Sequence, residues 1–393
     1  MSRPNILDDP GLQAILAAIS DARIVGGAVR DTLAGLPTHD IDLATQSEPD
    51  AVITALRKAG LKAIPTGLVH GTVTAVVALP GGGHRGYEIT TLRRDIATDG
   101  RHATIAFTDD WRADAARRDF TINAMSMDAT GTIFDYFHGT EDLRAGLLRF
   151  VGEPTARIAE DYLRILRFFR FWARYGSETP DQPTIAALRT GIPGLAQLSV
   201  ERIWTEFSRI LATPGPMPTM NLMNELGILS AIIPEGTSPA RLQTLIAANA
   251  PPDPLLRLAA LLTGDALTFA TRLRLSAAER DRLIALLAAP PPNDNDDDDT
   301  LRRHLADTPT ETLIGRTWLN GAPTTGWAAL RARLQAIHRP IFPLEGRDAL
   351  AIGLPPGPSI GILLHEIRTW WLTNGCRADS ETCRAELHRR AQI

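Results

Sequence analysis

Lysine is nearly absent from this chain, and cysteine is scarce as well. Lys58 and Lys62 are the only lysines among 41 basic residues, so arginine supplies almost all of the positive charge. Cys376 and Cys383, the only cysteines, show no metal-ligand spacing and no disulfide framework, which is typical of a reducing cytosol. The sequence has no run of about 18 apolar residues, which excludes a membrane-spanning helix, and no signal pattern at its start. We therefore expect a cytoplasmic protein.

Composition places the chain among ordinary globular proteins. Apolar residues make up 44% and charged residues 22% of 393 residues, and the net charge of −4 gives no sign of a polyanionic partner. The length is enough for two to four domains. The preference for arginine suits phosphate and base-edge recognition, because its planar fork donates two parallel hydrogen bonds, although a GC-rich genome would produce the same bias.

The first 150 residues mix strand-like and helix-like patterns, whereas the remainder reads as helical. Short apolar runs stopped by Gly or Pro predict strands, and apolar residues spaced three to four apart predict helices. The predicted strands cover residues 22–25, 41–44, 72–79 and 87–92. The predicted helices cover residues 51–59, 158–175, 184–189, 200–212 and 220–229.

These patterns predict an α+β fold, with a small mixed sheet in an N-terminal head and an all-helical neck, body and tail. We expect the head at residues 1–150, the neck at 151–235, and the body and tail at 236–393. Residues 289–300 contain three prolines followed by Asn and Asp, and they predict a solvated loop or linker.

Two aspartates separated by one residue follow a pair of glycines. In a strand, Asp40 and Asp42 point to the same face, where two like charges are unfavourable unless a cation bridges them. Mg²⁺ prefers a few carboxylates with substrate phosphates, and two such ions can activate a hydroxyl and stabilise a leaving pyrophosphate. Gly26 and Gly27 would admit a triphosphate to backbone N–H groups, and Arg30 would contact it. A solvated turn with a surface Arg–Asp pair explains each part, but explains the combination poorly.

A second polar segment, residues 117–125, reads as a basic entry to a short helix. Arg118 would hold a phosphate, while Asp119 and Asn123 would hydrogen-bond ribose hydroxyls. Their spacing of four places Asp119 and Asn123 on one face if the segment is helical. The alternative is that Asp119 caps the helix.

The helix predicted over residues 158–175 carries a carboxylate and an arginine three residues apart. Asp161 and Arg164 would form an ordinary surface salt bridge, or they would read a nucleobase. A carboxylate accepts from an exocyclic amine and an arginine donates to a ring nitrogen, which matches cytosine and adenine. Uracil and guanine present the reverse pattern and would leave buried groups unpaired. Arg167 and Arg170 would then face the triphosphate or the base.

Other neck residues read as scaffold. Phe168 and Phe171 are expected in the core rather than as stacking platforms. Ser199 is expected to cap the next helix, on which Arg202 and Glu206 would pair at a spacing of four.

The motifs at residues 26–31, 40–42, 117–125 and 160–164 together resemble those of the class II tRNA nucleotidyltransferase and bacterial poly(A) polymerase family. That family belongs to the DNA polymerase β-like superfamily, so the resemblance implies a polymerase-β-like nucleotidyltransferase head. It also implies ribose and triphosphate contacts for 117–125 and base recognition for 160–164. A third metal carboxylate is often found on a neighbouring strand in this superfamily, and Glu88 is the candidate; the alternative is that Glu88 is an ordinary surface residue of a strand.

The resemblance also concerns segments outside these motifs. Residues 93–112, which include 99–102, correspond to a flexible loop that assists catalysis in the family, and they read as a mobile loop or lid. Residues 135–149 resemble a segment that joins head to neck. Residues 342–361 are similar to a C-terminal segment of many CCA-adding enzymes, which is expected to meet the tRNA body. Nearby arginines would contact phosphates or form a solvated face, namely Arg347, Arg368, Arg377, Arg384, Arg389 and Arg390.

The expected activity is template-independent addition of CMP, CMP and AMP to the 3′ end of tRNA from CTP and ATP, with Mg²⁺ and a two-metal mechanism. A poly(A) polymerase is an alternative, but Tyr162 stands where those enzymes usually carry proline, and no basic C-terminal extension is seen. A partial CC- or A-adding enzyme is a second alternative. A catalytically silent RNA-binding relative is a third, although the intact Asp40 and Asp42 pair argues against it. No obligate protein partner is inferred.

Overall fold

The computed structural model of the chain describes residues 5–38, 40–79, 82–98, 103–320 and 325–391. The chain forms two compact units, Met1–Pro234 and Glu235–Ile393. The predicted further division between head and neck at residue 150 stays a prediction. Among the described residues, no helix is long and apolar enough to cross a membrane.

The first unit is built on a mixed sheet with strand order β3-β4-β5-β2-β1-β8-β9. Strands β2 and β5 pair in parallel, and the other neighbours pair antiparallel. The α+β prediction is confirmed, and four predicted strands overlap β1, β2, β4 and β5. The strands are β1 (Arg23–Val25), β2 (Asp42–Thr45), β3 (Lys62–Gly67), β4 (Thr72–Ala78), β5 (His84–Thr91), β6 (Arg93–Thr98), β7 (Ala103–Phe107), β8 (Met125–Met127) and β9 (Ile133–Asp135).

The helices of the first unit flank this sheet and then form the segment that follows it. They are α1 (Pro10–Ala18), α2 (Gly27–Leu33), α3 (Pro49–Lys58), α4 (Trp111–Ala116), α5 (Gly139–Ala145), α6 (Pro154–Glu160), α7 (Leu163–Tyr175), α8 (Gln182–Gly191), α9 (Val200–Leu211), α10 (Met217–Glu225) and α11 (Ile228–Ile232). Short 3₁₀ turns occur at Asn5–Asp8, Leu68–His70, Thr121–Asn123 and Ile192–Gln197.

The head core lies on one face of the sheet. Leu12 of α1 and Leu56 of α3 belong to the same buried cluster as Val73 and Ala75 of β4. Proline at the first position of both helices suits a helix start, because proline has no N–H to leave unsatisfied there. Since strand side chains alternate, the other face of β4 points away from this core.

Most of residues 93–112, predicted as a loop, form regular elements, and the mobility of the segment stays a prediction. Strands β6 and β7 pair antiparallel as a separate ribbon, with Arg93 opposite Phe107, and α4 begins at Trp111. The polarity of the segment suggested a loop, but cross-strand pairing satisfies its backbone groups. Residues 99–102 of the predicted loop lie outside the described residues.

The helix predicted over residues 158–175 is interrupted. Helix α6 ends at Glu160, Asp161 is extended with φ −156° and ψ 107°, and α7 begins at Leu163. The short helix predicted within 117–125 is a 3₁₀ turn, Thr121–Asn123, followed directly by β8. Apolar spacing persists through both breaks, so periodicity alone does not reveal them.

The segment at residues 135–149 is held by carboxylate contacts. Asp135 accepts from the N–H of Gly139 at 2.9 Å, and Asp142 accepts from Thr121 Oγ1 at 2.6 Å and forms an ion pair with Arg149. A Cβ at Gly139 would lie 2.2 Å from the carbonyl oxygen of Thr121, so only glycine fits this close approach.

The second unit is helical throughout its regular elements. Its helices are α12 (Pro239–Ala247), α13 (Pro254–Leu261), α14 (Ala266–Arg272), α15 (Ala277–Leu287), α16 (Asp298–Asp307), α17 (Thr310–Asn320), α18 (Thr325–Ala336), α19 (Gly346–Ala351), α20 (Pro358–Thr373) and α21 (Ser380–Ala391). The predicted linker at 289–300 ends early, because Asp297 caps α16 by accepting from Thr300 N.

Candidate active site

A glycine turn connects the first strand of the sheet to the helix that follows. Gly26 leaves β1 with φ +65°, in the left-handed region that favours glycine. A Cβ at this position would lie 2.8 Å from Nη1 of Arg118. Glycine therefore allows the backbone to turn and the guanidinium of Arg118 to lie against it.

A chain of hydrogen bonds runs from this turn to α7. Arg30 Nη1 donates to Asn123 Oδ1 at 2.5 Å, and Asn123 Nδ2 donates to Asp119 Oδ1 at 2.9 Å. Asp119 Oδ2 then accepts from Arg167, from Nε at 2.9 Å and from Nη2 at 2.5 Å. Helix α2, the 3₁₀ turn and α7 are thereby linked through buried polar side chains.

Asp119 is only 9% exposed and accepts four hydrogen bonds, the fourth from the Phe120 N–H at 2.9 Å. Burial acts to raise the pKa of this carboxyl, but the charge of Arg167 and the hydrogen bonds hold the pKa below its ordinary value. Asp119 does not begin a helix as a cap, since Phe120 precedes the 3₁₀ turn. Its contact with a ribose hydroxyl stays a prediction.

A cavity of about 610 Å³ opens beside these hydrogen-bonded side chains, and all ten residues predicted to bind a nucleotide line it. They are Gly26, Gly27, Arg30, Arg118, Asp119, Asn123, Asp161, Arg164, Arg167 and Arg170. Seven arginines and two aspartates line the cavity, so its lining has an excess of positive charge. Such a surface suits a triphosphate.

Sequence reasoning missed five of the lining residues. They are Leu163, Phe171, Arg174, Tyr175 and Arg202. Arg174 and Tyr175 continue the spacing of three to four that Arg164, Arg167 and Arg170 begin on α7, so this spacing would have found them.

Phe171 was expected in the core, and this expectation is only half right. The ring is 8% exposed, but it also lies at the cavity. The guanidinium carbons of Arg170, Arg30 and Arg167 lie 4.5, 5.0 and 5.5 Å from its centroid. Phe171 therefore supports three arginines through cation–π contacts. Phe168 is fully buried, as predicted.

Tyr175 closes the same side of the cavity. Its hydroxyl donates to Asp31 Oδ1 at 2.5 Å, and its ring lies 4.3 Å from the guanidinium carbon of Arg30. Burial and the bond to Asp31 raise the pKa of Tyr175 to about 12, so the hydroxyl remains a donor at neutral pH. Asp31 and Tyr175 together fix the direction of Arg30.

The alternative interpretation, a surface salt bridge between Asp161 and Arg164, is wrong. Asp161 Oδ2 accepts from Arg202 Nη2 at 2.7 Å, whereas Arg164 Nη1 donates to Glu160 and to the carbonyl oxygen of Arg157. The extended backbone at Asp161 removes it from the helical face that Arg164 occupies. Both side chains still line the cavity, and their reading of a base stays a prediction.

Arg202 and Glu206 take partners on other helices instead of the expected pairing along α9. Arg202 pairs with Asp161, and buried Glu206 lies 2.9 Å from Nε of Arg170 and 3.9 Å from Nη1 of Arg167. Burial lowers the pKa of Arg170 to about 10, which leaves the guanidinium charged at neutral pH. Glu206 of α9 therefore helps to hold Arg167 and Arg170 of α7 in place.

Two carboxylates, Asp42 and Glu88, lie on the central strands β2 and β5, and Asp40 lies just before β2. Exposed Asp40 and Asp42 flank buried Ile41, which is the alternation expected for two side chains on one face. Asp42 is the register partner of Glu88 on the parallel strand β5. Although Asp42 reaches solvent, partial desolvation by the surrounding protein raises its pKa, the charges of Glu88 and Asp40 raise it further, and the guanidinium of Arg118 lowers it. Arg118 therefore connects the carboxylates to the cavity.

The donor set suits a hard divalent cation. Within the described residues, no group of three His, Cys, Asp or Glu side chains is arranged closely enough to enclose a metal ion. Magnesium-type sites commonly use one or two carboxylates and complete the shell with substrate phosphates and water. A divalent cation would relieve the repulsion that Asp42 experiences from Glu88 and Asp40.

A mixed sheet with adjacent carboxylates, a glycine turn and an arginine-lined cavity defines the class of protein, a nucleotidyltransferase. Two family profiles match the chain: the poly A polymerase head domain at residues 22–149, and the probable RNA and SrmB-binding site of polymerase A at residues 179–238.

Similar proteins cover nearly the whole chain. CCA tRNA nucleotidyltransferase 1, mitochondrial, of Danio rerio is 36% identical over 365 residues, which cover 89% of this chain and 83% of the relative. The Homo sapiens protein of that name is 35% identical over 376 residues, covering 92% and 85%. The crystal structure of Bacillus stearothermophilus CCA-adding enzyme in complex with CTP matches with a TM-score of 0.75 at 28% identity, covering 98% of each chain.

The chain therefore belongs to the family of tRNA nucleotidyltransferases and bacterial poly(A) polymerases, which confirms the resemblance found in its motifs. Nucleotidyltransferases of this family generally use a divalent metal ion.

Proposed function

We propose that this protein adds CMP, CMP and AMP to the 3′ end of tRNA from CTP and ATP and releases pyrophosphate at each step. The observation that carries this proposal is the single cavity in which a predicted base-reading pair, Asp161 and Arg164, lies with the arginines of a triphosphate site. The relatives described above are named CCA tRNA nucleotidyltransferases, and the similar solved structure holds CTP.

The base is selected by protein side chains in place of a nucleic-acid template. Cytosine and adenine each present an exocyclic amine beside a ring acceptor, so Asp161 accepts from the amine and Arg164 donates to the ring nitrogen. Uracil and guanine present a carbonyl beside an N–H. Their carbonyl oxygen would face the carboxylate of Asp161, and their N–H would face the guanidinium of Arg164. An unpaired buried polar group costs about 1–3 kcal/mol, which favours CTP and ATP.

The triphosphate is held by the guanidinium groups of the cavity. Arg30 and Arg118 lie next to the glycine turn, whereas Arg167 and Arg170 project from α7. The 3′-oxygen of the RNA attacks the α-phosphorus and forms a new P–O bond. The bond to the β-phosphate breaks, its electron pair leaves with pyrophosphate, and the hydroxyl proton passes to solvent or a carboxylate. The arginines stabilise the charge that accumulates on the leaving group.

We assign the metal site to Asp40 and Asp42, with Glu88 as the third carboxylate. The register pairing of Asp42 with Glu88 and the raised pKa of Asp42, to which the charges of Glu88 and Asp40 contribute, support this assignment. Mg²⁺ at these oxygens would lower the pKa of the attacking hydroxyl and neutralise the phosphates. Asp42, on the strand, fixes the position of the site relative to Arg118.

The second unit is proposed to contact the body of the tRNA. The arginines named above all form ion pairs, and Arg347, which pairs with Glu345, is 80% exposed. The other pairs are Arg368–Asp307, Arg377–Asp299, Arg384–Asp348, and Arg389 and Arg390 with Glu386. Exposed pairs contribute little to stability, so these arginines can exchange carboxylate for phosphate at small cost. We also propose a cytoplasmic location, although two relatives carry a mitochondrial name.

The proposal is tested by incorporation of labelled nucleotides. The protein is mixed with Mg²⁺, a tRNA transcript lacking its CCA end, and each NTP in turn. Incorporation from CTP and then from ATP is the expected result. Incorporation from ATP alone on any RNA would indicate a poly(A) polymerase, addition that stops after CC or adds only A would indicate a partial enzyme, and no incorporation would indicate a silent relative.

A further inference from the structure

A row of hydroxyl groups lies beside the carboxylates on the open face of the head sheet. Along β4, Val73 and Ala75 are buried in the head core, while Thr72 and Thr74 are half-buried on the opposite face. Residues in direct register share a face of a sheet, and Thr74 is the register partner of Glu88. The threonines of β4 therefore share the face on which the carboxylates lie.

Hydrogen bonds extend this row over three strands. Thr74 Oγ1 lies 2.8 Å from Thr66 Oγ1 on β3, and Thr72 Oγ1 lies 3.1 Å from Thr90 Oγ1 on β5. We call Thr66, Thr72, Thr74 and Thr90 the hydroxyl face. Each hydroxyl has one donor and two acceptor positions, so these mutual bonds leave capacity for a ligand. Strands are spaced about 4.8 Å apart, which puts β4 about 10 Å from β2.

A lysine stands at the outer edge of this face. Lys62 begins β3, is exposed, and is the register partner of Val76, which follows Thr74 on the same side of β4. It is one of two lysines in a chain whose cations are otherwise arginines. An ammonium on a flexible stem suits a phosphate that moves between catalytic cycles.

The hydroxyl face lies across the carboxylates from the glycine turn. The sheet order is β4-β5-β2-β1, so Asp42 on β2 separates the threonines from Gly26, which follows β1. In phosphoryl transfer the attacking and leaving oxygens are roughly in line through the phosphorus. If the triphosphate occupies the cavity at the glycine turn, the attacking hydroxyl has to arrive from the side of β5 and β4.

We propose that the hydroxyl face and Lys62 bind the sugar and phosphate groups of the last nucleotides of the RNA that is being extended. This inference rests on the proposed function. Neutral hydroxyls recognise ribose 2′-hydroxyls and phosphate oxygens without reading a base. An enzyme that extends three successive ends of different sequence needs such base-independent contacts.

The first test separates the affinity for RNA from the affinity for the nucleotide. The double variant Thr72→Val with Thr74→Val keeps the branched shape and removes two hydroxyls. Because a neutral hydrogen bond contributes a factor of about 3–10, we expect KM for the truncated tRNA to rise about 10-fold, with KM for CTP unchanged. Thr74→Ser keeps a hydroxyl at this position, so its KM for the truncated tRNA should be closer to the wild-type value than that of Thr74→Val.

Lysine 62 has a matched control in the only other lysine. Lys62→Glu and Lys58→Glu change the net charge equally, but Lys58 ends α3, whose Val52 and Leu56 pack against the opposite face of the sheet. We expect Lys62→Glu to raise KM for tRNA about 10-fold at low salt, and less at high salt, while Lys58→Glu stays near wild type. Equal effects of the two substitutions would overturn the role of Lys62.

A crosslinking experiment gives a readout without turnover. A truncated tRNA with 4-thiouridine as its last nucleotide is irradiated with the protein, and the attached peptide is identified. Attachment within residues 62–90 is expected; attachment to the second unit or to α2 would overturn the proposal. The proposal is also overturned if the wild-type protein incorporates CMP and the threonine and lysine variants have the same KM for RNA as wild type. Wild-type protein that incorporates nothing overturns the proposed function instead.

Discussion

Arg202 Nη2 donates to Asp161 Oδ2 at 2.7 Å, across 41 residues of sequence. The other oxygen of Asp161 accepts from the Leu163 N–H at 3.1 Å, at the break between α6 and α7. The carboxylate is thus held from two sides at the wall of the cavity. Arg202 is a positioning residue for the proposed base reader, because it sets the direction in which Asp161 presents its oxygens.

Arg202→Ala is expected to lower discrimination between CTP and UTP about 10-fold, because hydrogen bonds between charged groups contribute about 1.5–3 kcal/mol and this pair is partly exposed. The measurement is the ratio of kcat/KM for the two nucleotides. Arg189→Ala, at an exposed position near the end of α8, is the control. A CTP to UTP ratio that stays at the wild-type value in Arg202→Ala would remove the positioning role.

Arg164→Ala is expected to relax base choice more than it weakens binding of tRNA. The substitution removes the donor proposed for the ring nitrogen of cytosine and adenine, and it also leaves Glu160 without the bond from Arg164. Misincorporation from UTP and GTP and the Kd for tRNA are measured in parallel. Wild-type nucleotide selectivity in this variant would contradict the templating role of the pair.

Gly26→Ala and Gly35→Ala form a matched pair. Both glycines have positive φ values, +65° and +68°, which other residues rarely adopt, so each substitution costs about 1–3 kcal/mol of backbone energy. Only at Gly26 would the added carbon meet Arg118, at 2.8 Å, whereas the described atoms leave open space at Gly35. We expect a loss in urea-unfolding free energy for both, and a strongly raised KM for CTP in Gly26→Ala alone. Equal KM values would show that Arg118 does not contact the nucleotide.

Asp119→Asn is expected to destabilise the first unit by about 2 kcal/mol at pH 7, because the ionic bonds to Arg167 are lost. The pKa of Asp119 is lowered in the folded protein. Its stabilising contribution is therefore present above the unfolded value near 3.8 and is lost as pH falls through the folded pKa. Urea unfolding at pH 7 and pH 3 should show a difference between wild type and variant that shrinks in acid. A constant difference would contradict the ionic origin.

Asp42→Asn is expected to abolish nucleotide addition and to leave tRNA binding largely intact. In a chelating buffer the same variant should melt at a higher temperature than wild type, because the substitution removes a charge that partial desolvation, Glu88 and Asp40 disfavour. Added Mg²⁺ should raise the melting temperature of wild type more than that of the variant. Asp50→Asn, at an exposed position on α3, is the control. Retained addition by Asp42→Asn would show that the metal site is elsewhere.

The sequence carried much of the site. The paired aspartates, the glycine turn and the arginines at helical spacing were visible as local patterns, and the ten proposed nucleotide-binding residues do line one cavity. The sequence was less informative where polarity or periodicity led to a wrong prediction of secondary structure. The segment that forms β6 and β7 was predicted as a loop because it contains many polar residues, although β7 itself is mostly apolar. The break at Asp161 leaves the apolar spacing of α6 and α7 unchanged.

What the sequence by itself determined is local: which segments form strands or helices, and which residues carry the acidic, basic and glycine motifs of the family. Only the tertiary structure decided the partners, such as Arg202 for Asp161, Glu206 for Arg170, and Thr74 beside Glu88. The physical reason is that a charged or hydroxyl side chain pairs with whatever group lies within about 3 Å, and that distance depends on how strands and helices far apart in the chain are packed together.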